Sequence, residues 1–71
     1  MNYYIIEIQV TAEGTSLLHE IKNNYNQALS TFFDKCKYAA VSGLPRHTIV
    51  LLNEGGTELK CETFTTETEY E

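Results

Sequence analysis

Four side chains could act as soft ligands, nucleophiles or proton shuttles: His19, Cys36, His47 and Cys61. None is paired at the short spacing of a zinc site, so no metal is expected. A Cys–His nucleophile needs a partly exposed thiol beside an imidazole. Cys36 falls on the apolar stripe of a helical segment, and Cys61 on the inward side of a strand. Both read as buried, reduced thiols of a cytoplasmic protein. Glu58 and Glu62 flank Lys60 on an outward strand face, which is ordinary solubility patterning. An acid–base pair needs a desolvated concavity to separate two carboxyl pKa values, and so short a chain encloses none. Gly55-Gly56 closes a hairpin and does not cradle a phosphate. No catalytic residue and no cofactor is assigned.

Two constellations point to binding instead. Ser42, Arg46 and His47 cluster where a helix ends and a strand begins, with Tyr38 one turn back. Arg46, His47 and Tyr38 could hold a phosphate or a nucleotide base. Against that stands a plainer assignment, with Arg46 a solvated loop charge and His47 a strand-edge residue. The second constellation is acidic. Glu7, Glu13, Glu20 and Asp34 are balanced by Lys22, Lys35, Lys37 and Arg46, so the net charge of −5 lies wholly beyond residue 53. There Glu58, Glu62, Glu67 and Glu69 could meet a basic protein surface or simply keep the chain end in solution. Direct contact with a nucleic-acid backbone needs the opposite sign.

The elements that must carry these residues follow from periodicity. NYYIIEIQV alternates as a strand, with Tyr4, Ile6, Ile8 and Val10 on the expected core face and Tyr3, Ile5, Glu7 and Gln9 on the other. Residues 16–22 read as a second strand, hairpinned to the first through Glu13-Gly14. The apolar residues from Leu17 to Ala40 also fit a single long helix, 16–41. Against it stand Asn23, Asn24 and Asn26, which favour turns and caps. Asn24 followed by Gln27 has the form of a capping box, so the preferred helix is 26–41. Ser42-Gly43 and Pro45 end it. His47–Leu52 is apolar on both faces, as a central strand is. Asn53–Gly56 makes a tight turn, and 57–64 is the last strand, with Leu59, Cys61 and Thr63 inward. Residues 65–71 read as a flexible acidic tail.

The expected fold is therefore α+β: one ββαββ domain over 1–71, an antiparallel-rich sheet with one helix on one face, or βαββ if the long helix forms. One helix cannot cover both faces of four strands. The open face is expected to carry Tyr3, Ile5 and either the 49/51 or the 48/50/52 set, and exposed apolar area of that kind marks an interface. A homodimer through that face is expected. No apolar run is long enough to span a membrane, and the N-terminus lacks a signal-peptide pattern.

The stretches YYIIEIQV, KYAAVSG and HTIVLLNEGG, with their spacing, resemble small phage- and prophage-borne proteins of Firmicutes over roughly residues 3–62. The resemblance is structural and carries no catalytic residue. It implies a setting in the bacterial host cytoplasm and an accessory role, often inhibition of a host defence system such as CRISPR. Such proteins act by binding a protein effector or by sequestering its nucleotide signal; a structural or assembly role is the remaining alternative.

Overall fold

The computed structural model describes residues 1–66. Strands β1 (Tyr3–Thr11) and β2 (Gly14–Lys22) precede helix α1 (Tyr25–Ala40), and β3 (Arg46–Leu52) and β4 (Glu58–Thr65) follow it. The four strands form one sheet in the order β2-β1-β3-β4, every neighbouring pair antiparallel. The fold is ββαββ, an open sheet with one helix.

Local chemistry sets the boundaries. The Asn24 side chain accepts a hydrogen bond from the Gln27 backbone N–H at 3.0 Å, which caps α1. That cap, with Asn23 before it, stops the apolar stripe of β2 from continuing as helix. Leu17, Leu18 and Ile21 are strand residues, and the long helix does not form. At the far end Gly43 takes φ +77°, the left-handed conformation that turns the chain out of the helix. The β3–β4 turn closes through Asn53, whose side-chain oxygen accepts from the Thr57 N–H at 2.9 Å. The last strand runs on through Thr65, opposite Arg46, past the expected start of the tail. Glu67 and Glu69, with the rest of residues 67–71, lie outside the described residues.

The core is small. Ile5, Ala28, Phe32, Ala39, Ile49 and Leu51 are its buried apolar residues, with Tyr3, Leu29, Cys36 and Phe64 packed against them. Ala28 and Ala39 bring α1 close to β1 and β3. The helix thus covers the Tyr3/Ile5/Glu7 face of β1, and the expected assignment of faces is reversed. Tyr4, Ile6, Ile8 and Val10 lie on the open side with Thr48, Val50 and Leu52. On β4, Lys60, Glu62 and Phe64 share the helix side, opposite Leu51, Ile49 and His47, while Cys61 and Thr63 face away. Cys61 is exposed and only Cys36 is partly buried, so the expected pair of core thiols is corrected; both are free.

Connectivity explains the reversal. β2 and β3 are both antiparallel to β1 and hence parallel to each other. The link between them is a crossover, and crossovers have a strongly preferred hand. The side on which α1 lies is set by that hand rather than by which face is the more apolar.

Candidate functional site

Two features stand out once the helix is in place: a buried polar cluster beneath it and a wide apolar face opposite. The cluster begins with Glu7, 7% exposed, and His47, 3% exposed. His47 Nε2 lies 2.7 Å from Glu7 Oε2, and its Nδ1 lies 3.3 Å from Ser42 Oγ. Lys35 Nζ stands 3.5 Å from Glu7 Oε1 and 3.1 Å from Glu20 Oε2. Gln9 donates to Glu7 at 3.5 Å. The Lys35 hydrogen bond and charge hold the Glu20 carboxyl below the usual range, against a smaller opposing effect of burial. Burial pushes the Lys35 ammonium down, yet Glu20 and Glu7 together raise it overall. The ions satisfy one another where burial alone would be costly.

Serine, histidine and glutamate in series have the outline of a nucleophile relay. The bonds of Ser42 assign it another task. Its hydroxyl donates to the Ala39 carbonyl at 3.0 Å, and the Leu44 N–H donates to its oxygen at 3.3 Å. Ser42 closes the C-terminal turn of α1, and His47 ties that turn to Glu7 on β1. No cavity opens beside it among the described residues. The cluster is a three-way fastening of α1, β1 and β3.

The expected trio of Arg46, His47 and Tyr38 is not brought together. Arg46 and His47 are consecutive in a strand and point to opposite faces: His47 under the helix, Arg46 beside Val10 at one end of the open face. Tyr38 is 66% exposed on the outer side of α1. Glu58 and Glu62 are both exposed on β4, an edge strand, but they do not share the expected outward face: the register shift at Leu51/Leu52 puts Glu58 in line with the open side, while Glu62 lies on the helix side.

The open face is built in transverse rows. Ile21, Tyr4 and Leu52 form one; His19, Ile6, Val50 and Cys61 the next; Leu17, Ile8, Thr48 and Thr63 a third; Thr15, Val10, Arg46 and Thr65 the last. Leu17 and Ile21 are 67% and 56% exposed. Arg46 and Glu58, the charges in register with this face, stand at its two ends. Thr48 and Thr63 hydroxyls bond to each other at 3.1 Å, so this pair can be covered at little polar cost. At the edge, the Cys61 thiol is pushed up by burial and then by Glu58 and Glu62. Sequence alternation marked this face as apolar but took it for the core. Its rows became visible only with the strand register.

Among the described residues, no group of three or more His, Cys, Asp or Glu side chains gathers as metal ligands do. No helix among them is long and apolar enough to cross a membrane. Compared with protein-family models, curated proteins and solved structures, the chain matches none.

Proposed function

We propose that this protein is a non-enzymatic binding protein that works as a homodimer, with the open sheet face buried between two copies. One observation carries the reading: the uncovered side of the sheet bears Tyr4, Ile6, Ile8, Val10, Leu17, Ile21, Val50 and Leu52, more large apolar side chains than the helix side buries. Four strands about 4.8 Å apart and about 25 Å long give, over two copies, on the order of 1,000 Å². That is the least area at which specific interfaces are stable. The occupant must be present whenever the chain is, because so thin a core gains most from a permanent cover. Another copy meets that requirement. The face is nearly uncharged, so the net charge of −5 does not oppose self-association there.

The decisive measurement is the mass in solution by light scattering, across protein concentration. A dimer is expected for the native chain. Leu17→Lys with Ile21→Lys, two exposed positions that the fold tolerates, is expected to shift the mass to that of one chain with the circular dichroism kept. A native monomer at high micromolar concentration overturns the reading.

A second role is favoured by the acidic edge. Glu62, on the helix side of β4, stays exposed when the open face is covered, and Glu58 stands at the rim of that face. The dimer is proposed to offer them to a basic protein surface, as an inhibitor of a bacterial defence enzyme acting in the cytoplasm would. Neutralising Glu58, Glu62, Glu67 and Glu69 together is expected to abolish partner binding and leave the dimer intact. Unchanged binding removes this role.

A further inference from the structure

Two arrangements of a face-to-face dimer keep the strands aligned, as packed sheets prefer. A two-fold axis lying along the strands sets β2 over the partner's β4 and β1 over its β3. An axis lying across them sets each strand over its own copy. Resting on the dimer proposed above, we infer that the axis runs along the strands, so that His19 of each copy meets Cys61 of the other.

Side-chain size carries the inference. In the two central rows the large groups stand on one half of the face: His19 and Leu17 on β2, Ile6 and Ile8 on β1. The small ones stand on the other half: Val50 and Thr48 on β3, Cys61 and Thr63 on β4. With the axis along the strands every large group of these two rows lies over a small one. Ile6 covers the partner's Val50, Ile8 its Thr48, Leu17 its Thr63 and His19 its Cys61. The gap between sheets, about 10 Å, is then filled evenly. With the axis across the strands, large meets large along one side and small meets small along the other. One side is overpacked and the other left void, and cores tolerate neither.

Charge agrees. β4 carries Glu58 and Glu62, and the chain continues from it into Glu67, Glu69 and Glu71. An axis along the strands places the two β4 edges on opposite flanks of the dimer; an axis across them stacks one on the other. Arg46 is exposed at the strand ends and reaches water there in either case. The inferred dimer has two symmetric imidazole–thiol contacts at its edges: each flank pairs one imidazole with one thiol, and each is incomplete in a single copy.

The test uses two chains of different tag. One carries its only thiol at position 61, made by Cys36→Ser. The other carries its only thiol at position 19, made by His19→Cys, Cys36→Ser and Cys61→Ser. Within one copy residues 19 and 61 are separated by the width of the sheet, about 14 Å, too far for a bond. The tagged chains are mixed, re-equilibrated and oxidised with copper phenanthroline. The mixed disulfide is expected to exceed either like-with-like product at least tenfold. Like-with-like products in excess, or no cross-link at a concentration where light scattering shows a dimer, overturn the arrangement. A single-chain mass overturns the dimer itself, which separates the two failures. Native protein supplies a second readout. In a mixed-label dimer, methyl contacts between Ile6 of one copy and Val50 of the other are expected; contacts between Ile6 and the partner's Ile8 in their place refute the axis.

Discussion

His47 and Glu7 show how a buried charge survives in a thin domain. The carboxylate has His47 at 2.7 Å, Lys35 at 3.5 Å and Gln9 at 3.5 Å. His47→Ala removes the shortest of these and opens a hole beneath the helix. It is expected to cost about 2–4 kcal/mol, read from the urea midpoint, in a fold whose total is roughly 4–10 kcal/mol. Loss below about 0.5 kcal/mol would mean that the fastening contributes little. Lys35 and Glu20 give a pH signature of opposite signs. Glu20 is lowered on folding, so its contribution is full above 4.5 and is lost as pH falls through its lower folded value. Lys35 is raised, so its contribution is full below 10.5 and is lost as pH rises through its higher folded value. The stability difference between the native chain and Lys35→Met is therefore expected to be flat between those limits. It shrinks outside them, and its plateau is about 1 kcal/mol or less, because Glu20 is well exposed and screened. A difference that keeps growing from pH 5 to 9 contradicts this assignment.

At the scale of elements, the chain changes from strand to helix within three residues. Asn24 makes that change abrupt by capping the first turn of α1. Asn24→Ala is expected to lower stability by about 1 kcal/mol and to shift the thermal midpoint by several degrees; Asn24→Asp should restore most of it. The β3–β4 turn depends on Gly56 at φ +85°, where a side chain has room but the backbone is strained. Gly56→Ala is expected to cost about 1 kcal/mol through that strain alone, measured by chemical denaturation. β2 is weakly anchored: it lies at the sheet edge, and the helix touches it less than it touches β1 or β3. β4, the other edge strand, is no better held by the helix, so hydrogen exchange in a monomeric variant should be fastest in β2 and β4, with β1 and β3 slowest.

For the whole molecule, the two proposed surfaces differ in their physics and so in their response to salt. Association through the apolar face should change little between low and high ionic strength. Binding through Glu58 and Glu62 should weaken steeply, since exposed charges are screened within about 8–10 Å. Titrations at two salt concentrations distinguish them: a dimer that dissociates in salt is not held by the sheet face.

Composition, periodicity and caps carry much of the architecture on their own. The order of the elements, the Asn24 cap, the Gly43 stop and the apolar nature of both β3 faces all follow from residue types, because each depends on neighbours a few positions away. The exposure of Glu58 and Glu62 was legible for the same reason, but their division between the two faces was not, because it depends on the register shift at Leu51/Leu52. What lay beyond reach was the choice of side. Tyr4, Ile6, Ile8 and Val10 form the more apolar stripe of β1, yet the helix lies over Ile5 and Glu7, since the hand of the crossover is a property of the assembled chain. Glu7 reads as a solvent-facing charge until His47 and Lys35 are brought to it from distant positions, beside Gln9 two residues further along its own strand. Arg46, His47 and Tyr38 are close in sequence but diverge, because strand pleat and helix rotation send them to three different surfaces. Local residue chemistry determined which elements form; long-range packing alone decided which of their faces meet.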